Sequence, residues 1–303
     1  MPLSSGDNIV NNDVAVLGCG VLGTSLCRQY LDLQQAEETG QGGNIVGITK
    51  TTGRHESILS EVLGDDTTKN NDASAKFSVS TYEDIIASKK TYKHVVFCAP
   101  PSGFDDYPAA VADAMEKLWD KTSDDGIFCF TSSGGVYANA GQTVTELSET
   151  MSPDTSPRVA RLVHAEAVCR AGNGTVLRLA GLYTLQRGAH SFYLSRDEDP
   201  RRGDGLLNSL HYDDAAGACL AAIASSSDEV RGVTMLISDG HPSTRLGVCE
   251  SAVKNAAFAN KSVPRFTGGD GDEDVGKVYD GSWSNELLGW RPRYSSFDAF
   301  MTG

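Results

Sequence analysis

A glycine-rich turn near the start of the chain carries the clearest chemical signal. It spells G-x-G-x-x-G in six consecutive residues, Gly18, Cys19, Gly20, Val21, Leu22 and Gly23. The turn follows an apolar run and opens a helix-like run, where one glycine makes the tight turn, one lets the backbone approach a pyrophosphate and the last allows close helix–strand packing. The helix N-terminus offers N–H groups and a positive dipole to the phosphates. These residues predict a nucleotide site; a glycine-rich turn without a ligand is the alternative.

The end of the next strand indicates which dinucleotide would bind. NAD is recognised there by an acid that accepts hydrogen bonds from the ribose 2′-OH, whereas the 2′-phosphate of NADP needs donors and positive charge. The segment holds Thr49, Lys50 and Arg54, with no acid before Glu56. Arg54 could bind a phosphate bidentately. NADP is therefore preferred over NAD, the alternative being an ordinary polar loop.

Short apolar strands alternate with helix-like segments over the first 180 residues. The predicted strands span residues 13–17, 44–49, 76–80, 94–99, 126–131 and 175–179. Strands with little polar alternation are buried on both faces, which predicts an α/β fold with a Rossmann-type, doubly wound parallel sheet. Residues 13–185 would form the NAD(P)-binding domain, with Ala99 and Pro100 as further cofactor contacts. Residues 1–12 would be a flexible arm, and residues 186–303 a smaller substrate-binding lid region packed on the sheet.

Composition limits the classes of partner. The 303 residues hold 40 acidic and 26 basic side chains, a formal net charge of −14, which disfavours nucleic acid as a partner. No apolar run reaches the roughly 18–20 residues that span a bilayer. Seven cysteines without a C-x-x-C pair argue against a metal site and for free thiols in a reducing compartment. We therefore expect a soluble protein in the cytoplasm, or in an organelle if a presequence was removed.

Four further segments carry a family resemblance. They are residues 130–137 (FTSSGGVY), 176–183 (VLRLAGLY), 210–216 (LHYDDAA) and 287–292 (LLGWRP). With the glycine turn, and in this order, they resemble the extended short-chain dehydrogenases/reductases, the family of sugar-nucleotide epimerases and dehydratases, and most of all its atypical members. The resemblance covers nearly the whole chain. It implies a small or sugar-nucleotide-like substrate and a possible homodimer.

The resemblance breaks at the catalytic residues. In active members a Ser or Thr orients the substrate, a Tyr transfers a proton, and a Lys four residues later lowers the pKa of that Tyr. Ser133 matches the first position, but Arg158 stands at the tyrosine position and Leu162 at the lysine position. An arginine stays protonated and cannot act as a general base. Hydride transfer by the family's usual mechanism is therefore not expected.

Other roles follow for the residues near this degenerate site. Arg158 and Arg161, three residues apart on one helix, could bind a phosphate or carboxylate or polarise a carbonyl, or both could be surface arginines. The resemblance places Arg187 near the substrate pocket, where it could bind an anionic group or form an ion pair, and leaves Tyr137 as a candidate acid–base residue. Two functions stay open: an oxidoreductase or epimerase with a non-standard proton donor, or a non-catalytic NADP(H)-binding regulatory, sensor or assembly protein.

Overall fold

The fold is built on a central sheet of parallel strands. The computed structural model describes residues 12–36, 43–64, 75–138, 141–269 and 275–303. Their strands are β1 (Val14–Leu17), β2 (Ile45–Thr49), β3 (Phe77–Thr81), β4 (His94–Phe97), β5 (Phe128–Ser133), β6 (Thr143–Val144), β7 (Thr175–Leu179), β8 (Gly181–Tyr183), β9 (Glu198–Asp199), β10 (Leu206–Leu207), β11 (Ser209–His211), β12 (Thr234–Ile237), β13 (Ser243–Thr244), β14 (Arg265–Phe266) and β15 (Val278–Tyr279).

The strand order creates a place for a ligand. The seven-stranded sheet has the order β12-β7-β5-β4-β1-β2-β3 with every neighbouring pair parallel. From β1 the chain runs one way to β2 and β3, then crosses back to β4, which pairs with the other side of β1. In such sheets ligands bind beyond the carboxyl ends of the strands where the order reverses. The predicted doubly wound α/β fold is confirmed.

Helices cover both faces of the sheet. They are α1 (Val21–Ala36), α2 (His55–Leu63), α3 (Tyr82–Ser88), α4 (Tyr107–Lys117), α5 (Pro157–Ala171), α6 (Ala189–Tyr193), α7 (Tyr212–Ala224), α8 (Ser227–Val230), α9 (Arg245–Lys254), α10 (Ser282–Leu287) and α11 (Phe297–Thr302). Val14 and Val16 of β1 join the core under α1 and α7, while Ala15 and Leu17 join the core under α4 and α5. This double burial explains why β1 has no polar alternation.

The region beyond residue 185 contributes to the central sheet as well as to a smaller core. Strand β12 is the edge strand beside β7, and α7 packs against α1. A separate cluster that includes Tyr193, Val248, Phe297 and Met301 forms the smaller core. The division at residue 185 stays a prediction, and the sheet itself extends past it. Of the predicted arm, residues 1–11 lie outside the described residues.

The structure also bears on the cysteines, on metal-ligand groups and on membrane-spanning helices. All seven cysteines are free, and six of them are buried. Within the described ranges no group of three or more His, Cys, Asp or Glu side chains is placed to hold a metal ion. No helix in that part of the chain is long and apolar enough to cross a bilayer.

Two buried aspartates should make stability depend on pH. Asp214 and Asp239 are 3% and 5% exposed, and burial raises the pKa of each carboxyl to about 6. In an unfolded chain an aspartate titrates near a pKa of about 3.9. Because folding disfavours the ionised form, this contribution to the free energy of unfolding should fall as the pH rises from about 4 to 6.

We expect Asp239→Asn to raise the free energy of unfolding at pH 7 by about 1–3 kcal/mol, since the amide oxygen can still accept from the N–H of His241 (2.9 Å) without a buried charge. Burial lowers the pKa of His94 to about 4, so the contribution of this residue to the free energy of unfolding should rise with pH. Urea unfolding of variant and parent between pH 4 and 8 isolates the difference. Equal curves, or the same change in exposed Asp228→Asn, would contradict the assignment.

Candidate functional site

A large cavity opens at the carboxyl ends of the parallel strands, and its volume is about 1500 Å³. Pockets for one small molecule usually measure roughly 300–1000 Å³, so this cavity has room for more than one ligand. Most of the predicted site residues line it: Gly18, Cys19, Gly20, Val21, Leu22, Thr49, Lys50, Arg54, Ala99, Pro100, Ser133, Arg158 and Arg187.

The three glycines of the turn play three different structural roles. Gly18 has φ +96°, and a side chain there would overlap the backbone of Ala99. A Cβ on Gly23 would lie 2.8 Å from the carbonyl oxygen of Gly18 and 3.1 Å from Val16 Cγ1, so only glycine lets α1 pack this closely on β1. At Gly20 the nearest atom to a Cβ is 3.9 Å away. The turn is therefore closely packed against the protein at Gly18 and Gly23, and it has free space at Gly20, which lines the cavity.

The start of α1 faces the same space. The first N–H groups of a helix have no acceptor within the helix, and Val21 and Leu22, which carry two of them, line the cavity. The N–H of Gly18 donates to the carbonyl of Ile48 at 2.9 Å, which ties the turn to β2. This arrangement can hold an anionic group at the helix N-terminus.

The end of β2 presents positive charge to the cavity. The Lys50 ammonium donates to the carbonyl of Gly103 at 3.3 Å, and the Arg54 guanidinium lies 3.4 Å from Glu61. Both basic side chains are exposed, so these weak contacts leave them free to bind a ligand. The Thr49 hydroxyl lies 2.8 Å from His55 Nε2 and 2.9 Å from the carbonyl of Thr51.

A second group of polar side chains lies beyond β5. Ser133 Oγ accepts from the N–H of Gly135 at 3.1 Å, and its own proton is available to a ligand. Ser156 caps α5 by accepting from the N–H of Val159 at 3.2 Å, which puts Arg158 in the first helical turn. A Cβ on Gly135 would be 3.2 Å from Ser133 Oγ and 3.7 Å from Arg158 Nη2, so both donors border one small region.

Solved structures share this architecture over nearly the whole chain. No protein-family model and no curated protein matches the sequence. UDP-glucuronic acid 4-epimerase from Bacillus cereus, in complex with NAD, is 16% identical over 96% of each chain with a TM-score of 0.68. dTDP-glucose 4,6-dehydratase from Bacillus anthracis, in complex with NAD, is 14% identical over 96% of this chain and 94% of its own with a TM-score of 0.69.

A conserved protein of unknown function from Silicibacter pomeroyi is similar to the same extent, at 18% identity over 96% of this chain and 97% of its own, with a TM-score of 0.67. The chain shares the fold of these NAD-bound epimerase and dehydratase structures. Sequence identities this low indicate a shared fold only, so the chemistry has to be argued from the residues of this chain.

Leu162, which stands where the sequence resemblance led us to expect a lysine, has a structural role. Leu162 is 5% exposed and belongs to the core beneath α4 and α5. Four residues on, Glu166 is fully buried and pairs with Arg178 at 2.7 Å, while the Ser132 hydroxyl donates to it at 2.6 Å. The helix thus packs on the sheet through these residues and presents Arg158 to the cavity, at the position where the sequence resemblance led us to expect a tyrosine.

Three predicted site residues are outside the lining: Gly23, which packs α1 against β1, and the two candidates Tyr137 and Arg161. Tyr137 is 0% exposed and does not line it; its hydroxyl has no hydrogen-bond partner among the described residues, and the Arg178 guanidinium lies 4.7 Å from its ring centroid. Arg161 is exposed but lies outside the lining. A direct proton transfer from Tyr137 and a direct ligand contact from Arg161 therefore lack geometric support.

The sequence analysis did not identify two tyrosines that line the cavity, Tyr82 and Tyr212. Tyr82 donates its hydroxyl to Asp113 at 2.6 Å. Tyr212 begins α7 directly after β11, which pairs with β8 beside the cavity. In the sequence Tyr212 is one residue of the motif LHYDD, and no local pattern shows that it faces a ligand site.

Proposed function

We propose that this protein binds NADP(H), or NAD(H) more weakly, in the cavity together with a second small molecule that is its substrate or ligand. The observation that carries the proposal is the glycine turn, which is closely packed at Gly18 and Gly23 and has free space at Gly20. It lies where the strand order of the sheet reverses. Neighbours of the same fold were crystallised with NAD.

The residues present suit a dinucleotide in three places. The N–H groups at the start of α1 would hold the pyrophosphate, Lys50 and Arg54 a 2′-phosphate, and Ala99 and Pro100 would border the adenosine half. A bound nicotinamide would supply the capacity to accept or donate a hydride. The chain's own contribution would be to orient both ligands and to exclude water from the space between them.

The leading function is an oxidoreductase or epimerase acting on a small or sugar-nucleotide-like substrate without the usual Tyr-x-x-x-Lys pair. Ser133 supports it, because its proton can orient a substrate oxygen. Tyr212 is the lining tyrosine without a hydrogen-bond partner in the described part of the chain, which makes it the candidate proton donor.

The second candidate is a non-catalytic NADP(H)-binding regulatory, sensor or assembly protein. Buried Leu162 and permanently charged Arg158 favour it, since neither can move a proton. Stopped-flow absorbance at the nicotinamide band, with NADPH and a panel of carbonyl and sugar-nucleotide substrates, separates the two. Turnover that Tyr212→Phe abolishes would support the enzyme. NADPH binding without turnover on any substrate would support the binding protein.

NADPH is expected to bind at least tenfold more tightly than NADH. Hydrogen bonds to a charged group contribute about 1.5–3 kcal/mol, so Arg54→Ala should weaken NADPH about tenfold or more and leave NADH within twofold. Calorimetric titration of both dinucleotides measures this, with exposed Lys261→Ala as the control. Equal losses for NADPH and NADH would place Arg54 away from the 2′-phosphate.

Two sequence predictions stay predictions. A homodimer through α4 and α5, which pack side by side on one face of the sheet, is testable by sedimentation at micromolar concentration. A reducing compartment suits the seven free thiols, but the compartment itself has to be found by localising the protein in cells.

A further inference from the structure

Arg158 and Arg187 line the cavity, whose lining also includes the acids Glu83, Asp106 and Asp113. Among the described residues, neither Arg158 nor Arg187 forms an ion pair, although acids outnumber basic residues by 40 to 26 in the chain. Arg201, by contrast, lies 2.8 Å from Asp199. Both cavity arginines are exposed, so their guanidinium groups are accessible to a ligand that enters the cavity.

In the part of the chain that the structure describes, no carboxylate forms an ion pair with Arg158. Tyr279 is the titratable neighbour on which the charge of Arg158 acts, and burial raises the pKa of its hydroxyl to about 12, so it is neutral at physiological pH. The ring of Tyr279 lies against Gly134, with its hydroxyl oxygen 2.9 Å from the position of a Cβ there. The Arg158 charge is thus left for a ligand.

The groups that border this region are donors. Ser133 has a proton to donate, and Arg158 presents a fork of N–H groups near the same point beside Gly135. These two donors together match an oxyanion, and arginine suits carboxylate and phosphate because its planar fork can bind two oxygens at once.

We propose that the second ligand carries a carboxylate or phosphate group, held by Arg158 and Arg187 with the hydroxyl of Ser133. This inference rests on the proposed function only in placing the dinucleotide in the same cavity. The ligand's anionic group then lies beside Arg158, the position at which the sequence resemblance led us to expect a tyrosine. Arg158 is a binding residue there, because a guanidinium stays protonated throughout.

The test is titration of the NADPH-saturated protein with inorganic phosphate and with malonate at constant ionic strength, followed by calorimetry. Arg158→Met and Arg187→Met should each weaken binding at least tenfold for the preferred anion, and Arg158→Lys should restore part of the loss. Phosphate and malonate, compared side by side, show which oxyanion the site takes. The matched control is Arg161→Met, an exposed arginine on the same helix outside the cavity.

Unchanged anion affinity in both cavity variants would overturn the inference. An equal loss in Arg161→Met would overturn it as well, because it would reduce the effect to general surface charge. Titrations without NADPH keep the two proposals apart: anion binding that depends on Arg158 in a protein that binds no dinucleotide would refute the proposed function alone. NADPH affinity that stays within twofold in Arg158→Met, together with lost anion affinity, is the result we expect.

Discussion

Gly20→Val should bind NADPH at least 100-fold more weakly than the parent while unfolding at nearly the same temperature. A Cβ at this position meets no atom closer than the Gly18 carbonyl oxygen at 3.9 Å, so the fold accepts a side chain. The same side chain would project into the space where a pyrophosphate must approach the backbone at the start of α1. Calorimetric titration gives the affinity, and a thermal melt without ligand gives the stability.

Two other glycines make the comparison decisive. Gly269→Val places a side chain where no atom lies within 4 Å, and it should change neither affinity nor stability. Gly18→Ala forces a side chain into a position with φ +96° against Ala99, so it should lower stability as well as affinity. Full NADPH affinity in Gly20→Val would remove the main support for a dinucleotide in this cavity.

The glycine turn was predictable because its signal is local. Spacing within six residues, an apolar strand before it and a helix after it define both the geometry and the ligand class. The parallel sheet was predictable for a similar reason, since strands buried on both faces show no alternation in their own sequence. Strand β12 was harder, because its place beside β7 depends on pairing between residues 234–237 and 176–179, which no short pattern reveals.

The substrate end was less predictable because it depends on the phase of a helix and on distant segments. Arg158 and Arg161 look equivalent in the sequence, yet the cap at Ser156 fixes the start of α5 and only Arg158 reaches the cavity. Tyr137 follows Ser133 by four residues, but the short 3₁₀ turn Gly134–Val136 directs it into the core. Tyr212 reaches the site from beyond the first 180 residues.

Glu166→Ala should lower the free energy of unfolding by about 3–5 kcal/mol, the cost of breaking a buried ion pair from one side. The fully buried carboxylate accepts from Arg178 Nε at 3.1 Å and Nη2 at 2.7 Å, and from Ser132 at 2.6 Å. Its removal would leave the guanidinium of Arg178, itself 5% exposed, without a counter-charge in the core. Urea unfolding at pH 7 measures the loss.

A double variant distinguishes the cost of an unpaired buried charge from the cost of lost packing. Glu166→Leu combined with Arg178→Met removes both charges of this buried pair, so most of the stability should return. Glu198→Ala breaks the exposed pair with Arg265, whose atoms lie 2.9 Å apart, and should change stability by less than about 1 kcal/mol. If the double variant were as unstable as Glu166→Ala, packing rather than charge would hold α5 on the sheet. Because α5 also carries Arg158, anion affinity that stays intact in a recovered double variant would show that the buried pair is not needed to position this arginine in the cavity.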